Sequence, residues 1–328
     1  MRHSAWWTPM TTPDPQQALQ RVLLATLPGV VALCWWYGWG VLINLILAGG
    51  CALLVDAGVD RLRGRRVRDL SSLVSATLLA LALPPYCPWW LCVAAVTGGL
   101  LLGKHLYGGN RNPFNPAMVG YALMLVAFPQ PMSHWPAPHG LDLLAGVNQV
   151  LGLHGAAPDA WAQATALDAL RINKSLTIDE LFARSPAFGH FGGRASEWVG
   201  LAYLMGGLWL LWQRVFSWHA PVGMLGSLFV ISLLCWNGSG SDSHGSPLFH
   251  LLTGATLLGA FFIITEPVSG PRSPRARLLF GAGVGALTYL IRTWGGYPDG
   301  VAFAVLLMNL AVPALERLVA PKQPQVNA

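Results

Sequence analysis

Residues 159–170 contain the clearest candidate for chemistry in this sequence, a single threonine hydroxyl in a polar turn. The segment reads DAWAQATALDAL and places Asp159 six residues before Thr165. It lies within residues 129–196, the one long hydrophilic stretch of the sequence, and loops of that length are usually functional or disordered. Judged from its neighbours alone, Thr165 is typical of a helix cap or turn residue that leads into a short amphipathic segment.

Residues 103–118 form a second polar segment, GKHLYGGNRNPFNPAM. Its glycines and asparagines tolerate left-handed backbone conformations and its prolines restrict φ. The chain could therefore expose N–H and amide groups toward a polar ligand. The alternative interpretation is a rigid turn that binds nothing.

Metal and cluster chemistry are not expected from the cysteines. None of them forms a C-x-x-C pair, and all lie in apolar surroundings: Cys34, Cys51, Cys87, Cys92 and Cys235. A four-thiolate iron–sulfur site or a structural zinc site is therefore disfavoured. A nucleic-acid interface is also disfavoured, because no stretch interleaves Lys or Arg with aromatic residues on a polar face.

The elements that position these segments must be membrane-spanning helices. Charged residues make up only 10% of the 328 residues and hydrophobic residues 54%, and the mean hydropathy is +0.49. Soluble domains carry roughly 25% charged residues. A soluble fold of this size could not cover its surface with so few charged residues. We therefore predict an all-α polytopic membrane protein.

Uncharged runs locate the spans, because a bilayer-crossing helix needs ~20 mostly apolar residues. Val22–Val55 and Leu70–Gly103 carry no charge and are each too long for one span. The Gly-Trp-Gly step at 38–40 divides the first run, and the proline cluster at 84–88 divides the second. Ten spans result, near residues 18–37, 40–58, 69–84, 88–104, 115–130, 197–213, 219–236, 247–266, 278–293 and 298–317.

The distribution of positive charge predicts the orientation of these spans. With the N-terminus in the cytoplasm, most of the 20 Lys and Arg residues fall on the inner side, as the positive-inside rule requires. Both termini are then cytoplasmic and residues 129–196 are external. The first 20 residues are polar and rich in proline, so no signal peptide is expected.

Two carboxylates and a short repeat bear on what the spans could do. Asp56 and Glu266 lie near membrane depth, where carboxylates often mark ion paths, or they lie at helix ends and simply face water. Residues 75–79 and 254–258 share the letters ATLL. This repeat is either chance or the trace of two five-helix halves, which would have to be inverted relative to each other.

Three longer stretches carry a resemblance to a known family. They read GKHLYGGNRNPFNPAMVGYALMLVAFP, AFFIITEPVSGP and IRTWGGYPDGVAFAVLLMNLAVPALE. Together they resemble the D subunit of Rnf-type electron-transport complexes, which is homologous to the B subunit of sodium-translocating NADH:quinone oxidoreductase. The resemblance covers nearly the whole chain, from about residue 20 to 318. It implies ten helices in two inverted halves, similar to urea transporters, with residues 1–128 and 197–328 as the halves and residues 129–196 as a flavin-bearing loop.

The resemblance gives Thr165 a further role. In this family FMN is esterified through its phosphate to a threonine, within a signature of Asp, two residues, Ser or Thr, Gly, Ala and Thr. Asp159 and Thr165 match this signature, whereas residues 162–163 are Ala-Gln instead of Ser or Thr followed by Gly. The resemblance therefore implies that Thr165 carries covalent FMN, with no catalytic residue and no metal ligand in this chain.

A competing threonine lies in the eighth predicted span. Residues 253–256, TGAT, match the end of the signature better than residues 162–165 do. However, His250 stands where the signature has Asp, and an external flavin transferase could not reach an apolar span. Thr165 is therefore favoured over Thr256, which is expected to pack or hydrogen-bond between helices.

Two functions remain open. The first is a membrane redox subunit of an Rnf-type complex that couples NADH and ferredoxin electron transfer to sodium or proton movement in the bacterial inner membrane. The resemblance implies other complex subunits and a flavin transferase as partners, and a second, non-covalent flavin for which residues 108–115 are the candidate contact. The alternative is a stand-alone channel or transporter of small polar solutes.

Overall fold

The computed structural model describes residues 14–64, 70–108, 111–153, 157–173, 175–241, 243–297 and 299–320. Within these ranges the chain is mostly α-helical, with one small two-stranded sheet. The arginines among residues 65–68, the predicted start of the tenth span at 298 and part of the predicted flavin contact, residues 109–110, lie outside the described ranges.

Helical residues occur at each of the ten positions predicted for spans. The first five helices are α1 (Pro15–Tyr37), α2 (Gly40–Arg63), α3 (Ser71–Ala82), α4 (Trp89–Gly103) and α5 (Pro116–Ala127). The loop that follows contains α6 (Pro129–Ser133), β1 (Trp135–Pro136), α7 (Leu143–Leu151), β2 (Ala162–Gln163), α8 (Ala166–Ile172) and α9 (Ile178–Arg184). The last group is α10 (Ser196–Trp212), α11 (His219–Leu234), α12 (Pro247–Leu252), α13 (Thr256–Leu258), α14 (Pro274–Trp294) and α15 (Val301–Val319).

Four described helices are long and apolar enough to cross a membrane by themselves. They are Pro15–Tyr37, Gly40–Arg63, Trp89–Tyr107, which is α4 with the short 3₁₀ turn after it, and Val301–Val319. Large apolar side chains such as Ile46 project outward from them, as lipid contact would require. Several other helices are shorter, and α3, with 12 residues, is only about 18 Å long against a hydrocarbon core of about 30 Å. The helices agree with a polytopic membrane protein, and the ten-crossing arrangement stays a prediction.

The eighth predicted span is not one continuous helix, and this prediction was wrong. Helix α12 ends at Leu252, and after Thr253–Ala255 the chain resumes as α13 and a π-helical turn, Gly259–Ile263. Gly254 has φ +67°, a left-handed conformation that breaks a helix and favours glycine. The carbonyl groups freed by the break accept hydrogen bonds from Arg292 instead of from the next helical turn.

Glycines allow the helices to approach closely. A Cβ on Gly281 of α14 would lie only 2.1 Å from the carbonyl oxygen of Ala220, at the start of α11, and one on Gly285 would lie 2.2 Å from that of Met224. On α10, a Cβ on Gly206 would lie 2.0 Å from the carbonyl oxygen of Ala25. Backbone contact through small residues is typical of helices packed in lipid. These contacts join α11 to α14 and α10 to α1.

Candidate functional site

A cavity of about 470 Å³ lies between the loop of residues 129–196 and the helices. One wall is formed by residues 163–168 and contains Thr165, and another by Gly254 and Ala255 at the break in the eighth span. Aromatic side chains from distant parts of the chain complete it, namely Tyr37, Tyr121, Trp135, Tyr203 and Tyr297. Ligand sites in proteins usually have volumes of about 300–1,000 Å³. This loop cavity is therefore large enough for a small organic cofactor.

The local fold around Thr165 fixes its place in the cavity wall. Strand β2 ends two residues before it and pairs with β1, Gln163 lying opposite Trp135. Thr165 then caps α8: its Oγ1 accepts a hydrogen bond from the backbone N–H of Asp168 (3.1 Å) and donates to the Asp168 carboxylate (2.8 Å). The interpretation of Thr165 as a cap is confirmed. Its half-buried hydroxyl also lies in a cavity wall, which a cap alone does not require.

Thr177 gives a direct comparison within the same loop. It caps α9, also a seven-residue helix, and its hydroxyl bonds Glu180 just as Thr165 bonds Asp168. Hydrogen bonds from the backbone and side chain of Thr177 lower the pKa of the exposed Glu180 carboxyl. Thr177 does not line the loop cavity. The two threonines therefore cap their helices in the same way, but only Thr165 lines the cavity.

The structure separates Asp159 from the predicted site. Asp159 lies on an exposed 3₁₀ turn, Pro158–Ala160, and does not contribute to the cavity wall. Trp161, two residues further on, is buried against Tyr86. Thr165 is thus the residue of this pair that faces the cavity.

Thr256, the competing threonine, is fully buried. Its hydroxyl donates to the carbonyl oxygen of His250 (2.8 Å) and accepts from Arg292 of α14 (2.9 Å). The expectation that Thr256 hydrogen-bonds between helices is confirmed. Its hydroxyl is buried and is engaged in hydrogen bonds within the protein.

Buried Arg292 and partly buried Asp299 form an ion pair beside the cavity that sequence reasoning missed. Arg292 Nη2 lies 3.1 Å from Asp299 Oδ1, and Asp299 Oδ2 accepts the N–H of Ala255 at 2.7 Å. The pair therefore holds the broken eighth span, and Asp299 lines the cavity. The available signal was a charged pair on either side of the Gly295-Gly296 turn between two apolar helices.

The two carboxylates proposed for ion paths have protein partners. Asp56 Oδ1 accepts from Ser72 Oγ and lies 2.8 Å from His105 Nε2, so the residue is held between helices. Glu266 accepts the backbone N–H groups of Val268 and Ser269 in a turn. These contacts give both side chains a structural role, and the ion-path interpretation stays a prediction.

The asparagine side chains described within residues 108–115 also form hydrogen bonds inside the protein. Asn112 donates to the carbonyl oxygen of Phe114 (3.1 Å). The Asn115 side chain donates to the carbonyl oxygen of Ile263 (3.1 Å) and caps α5 by accepting from Met118. This geometry favours the rigid turn, and the contact with a second flavin stays a prediction.

The apolar helices and the loop cavity indicate a polytopic membrane protein with room for a small ligand, and sequence comparison supplies the family. Residues 9–325 match the NQR2, RnfD, RnfE family. The chain therefore belongs to this family, and the predicted family is confirmed.

Relatives from several bacteria agree with this membership. The chain is 61% identical over 312 residues to the D subunit of the ion-translocating oxidoreductase complex of Ectopseudomonas mendocina (strain ymp), covering 94% of this chain and 91% of the relative. The proteins of the same name from Pseudomonas aeruginosa (strain UCBPP-PA14) and Cellvibrio japonicus (strain Ueda107) are 59% and 47% identical. These matches cover 93% and 92% of this chain and 90% and 88% of the relatives.

The residues of the loop cavity fit an FMN group. Tyr37, Tyr121 and Tyr297 supply aromatic surface for a flat ring, and Gln163 supplies a neutral hydrogen-bonding side chain. Two arginines that line the cavity, Arg171 and Arg194, supply positive charge for a phosphate. Thr165 is one of the hydroxyl-bearing residues in the cavity wall that could form a phosphoester.

Proposed function

We propose that this chain is a membrane subunit of an ion-translocating oxidoreductase complex and carries FMN esterified to Thr165. The observation that carries the proposal is the position of the Thr165 hydroxyl in the wall of a 470 Å³ cavity lined by tyrosines. The names of the relatives support the complex. Electron transfer from NADH or ferredoxin, coupled to sodium or proton movement, is the reaction that the family resemblance implies.

The chain's own residues would bind and orient the cofactor, which itself supplies one- and two-electron redox chemistry. The tyrosines would shield the ring from water, and the arginines at 171 and 194 would balance the phosphate charge. In the proposed ester, Oγ1 of Thr165 would carry phosphorus in place of its proton and could no longer donate to the Asp168 carboxylate. The N–H of Asp168 can still bond an oxygen at that position, which preserves the cap.

In this proposal the partners are the other membrane and peripheral subunits of the complex, which supply the other redox centres, and a flavin transferase during maturation. The described residues contain no cluster of three or more His, Cys, Asp or Glu side chains able to hold a metal ion. The proposed location is the bacterial inner membrane.

We further propose the ten-helix arrangement with inverted halves, 1–128 and 197–328, on either side of the loop 129–196. The helix contacts support it. Helix α2 packs on α3 and α4, as α11 packs on α12 and α14, while α1 packs on α10 and α5 on α15. A two-fold relation between the halves, as in urea transporters, would produce this pattern. Both termini would then be cytoplasmic and the flavin loop periplasmic.

The test is flavin fluorescence of the denatured protein in a gel, after co-expression with the transferase. We expect a fluorescent band for the wild type and none for Thr165→Ala. Thr177→Ala is the matched control, because it removes an equivalent helix cap away from the cavity, and Thr256→Ala tests the competing threonine; both should stay fluorescent. A dark wild-type band would reject covalent FMN and favour the alternative, a channel or transporter of small polar solutes.

A further inference from the structure

Helix α7 presents an exposed apolar face on the loop of residues 129–196. Leu143, Leu144 and Leu151 are exposed, Leu144 to 71%, and Leu153 after the helix is exposed as well. At 100° per residue these helical positions and the half-buried Val147 share one arc of about 100°. We name these five residues the leucine face. A face of this kind on a water-exposed loop requires a partner.

The protein covers the arc next to the leucine face. Gly146 and Val150 are buried, and Val150 belongs to a cluster with Tyr86 and Trp161 that also contacts Ile43 and Leu47 of α2. The remaining arc is polar and contains Asn148 and Gln149. The helix is therefore amphipathic, with the leucine face as its unpartnered part among the described residues.

The packing on α2 sets the depth of α7. Ile43 and Leu47 lie three and seven residues after Gly40, where α2 begins, which places them about 5–10 Å below that end of the helix. The charged residues of α2 all lie in its last turns, from Asp56 onward. The apolar part of this candidate span therefore begins at Gly40, and α7 lies beside it. Interfacial helices are typically buried about 5–10 Å into the headgroup and acyl boundary.

Neighbouring aromatic residues and the absence of charge also indicate lipid. Trp35 and Trp39, at the junction of α1 and α2, are exposed, and tryptophan is enriched at membrane–water interfaces. The N–H of His139 bonds the carbonyl oxygen of Trp36 (2.7 Å), which ties the chain before α7 to this junction. Residues 143–153 carry no charged side chain.

We propose that α7 is an interfacial helix whose leucine face lies in the lipid headgroup and acyl boundary, on the side of the membrane that carries residues 129–196. The helix then anchors more than itself. Its residue Val150 packs in the cluster of Trp161, and Trp161 directly precedes β2 and the Thr165 turn. Lipid contact at α7 thus holds the cavity wall at a constant depth. The proposal depends on the packing and not on the presence of FMN.

The test is collision accessibility of spin labels in nanodiscs of phosphatidylethanolamine and phosphatidylglycerol. The exposed Cys235 and half-buried Cys34 are first replaced by serine and alanine. Labels are then attached to Leu144→Cys and Leu151→Cys in the full chain, alone and in the assembled complex. Both sites are exposed, so the label should not disturb the fold. We expect oxygen accessibility relative to a polar nickel chelate to be several-fold higher at both sites than at a water-exposed site.

Two positions calibrate the result. Asp179→Cys on α9 is the water control in the same loop, and Leu54→Cys on α2 is the lipid control. Values at 144 and 151 close to the Leu54 control, in the isolated chain and in the complex, support the proposal. Values close to the Asp179 control overturn it. A third outcome also overturns the proposal: the labels are accessible to water in the isolated chain but protected from both oxygen and the nickel chelate in the complex. A partner protein would then cover the leucine face.

Discussion

The Arg292 side chain combines several structural functions beside the cavity. It is buried, pairs with Asp299, and donates to the carbonyl oxygens of His250 (2.9 Å) and Thr253 (3.1 Å). Replacing it by alanine removes the ion pair and both hydrogen bonds to the carbonyl groups, although Asp299 keeps the N–H of Ala255 and the His250 carbonyl keeps the Thr256 hydroxyl. Removing one partner of a fully buried ion pair typically costs about 3–5 kcal/mol, and Asp299 is only partly buried. We therefore expect Arg292→Ala to lower the free energy of unfolding by no more than this amount, measured by denaturant titration in detergent.

The control for this prediction is Arg184→Ala, which removes an exposed arginine from α9 and should change stability little. The double variant Arg292→Met with Asp299→Asn removes both charges together. It should recover part of the loss, because no charge is left unpaired. Equal stability of Arg292→Ala and the wild type would show that the pair does not hold the broken span.

At the scale of elements, the contact between α11 and α14 depends on glycine. The Cβ of an alanine at Gly281 would lie 2.1 Å from the carbonyl oxygen of Ala220, so the helices must move apart. Overpacking of this kind typically costs about 1–3 kcal/mol. We expect Gly281→Ala to reduce stability in detergent by such an amount, measured as a lower midpoint of thermal unfolding.

Gly226 on α11 is the matched control, since no described atom beyond its chain neighbours and its own stretch of helix backbone lies within 4 Å of its Cβ position. Alanine has a higher helix propensity than glycine, by about 1 kcal/mol in soluble helices. Gly226→Ala should therefore be neutral or slightly stabilising. Similar losses in the two variants would mean that glycine is needed for a reason other than close packing.

At the scale of the whole molecule, the proposed topology makes a direct prediction about which side of the membrane each loop occupies. Asp179→Cys in the external loop should react with a membrane-impermeant maleimide on cells with an intact inner membrane. Arg61→Cys, near the C-terminal end of α2, should react only after the inner membrane is permeabilised. Both sites are exposed in the structure, so access depends on the membrane and not on burial.

The exposed native Cys235 must be replaced by serine in this experiment, because it lies at the end of α11. Labelling of Arg61→Cys from outside, with protection of Asp179→Cys, would reverse the proposed orientation and move the proposed flavin to the other compartment. Labelling of both from outside would require an even number of crossings between them. That outcome would contradict the three crossings that the proposed topology places there.

Local signals in the sequence predicted much of the fold. Uncharged runs placed helices such as α1 and α2 within a few residues of their observed bounds, because hydrophobicity and glycine or proline act over short distances. The same signals failed at Thr253–Ala255. That break depends on Arg292 and Asp299, about 40 residues away, which no pattern within one span can reveal.

The sequence by itself determined the membrane class, the positions of the helices, the family and the choice of Thr165 as the candidate residue. These properties depend on composition and on contiguous motifs. Only the tertiary structure decided that Thr165 lies in a cavity with Tyr37, Tyr121 and Gly254, whereas Asp159 lies outside it. It also decided that α7 packs against α2 near the end where its apolar part begins. The physical reason is that cavities and depth arise from contacts between distant segments, and those contacts are set by the packing of the whole chain.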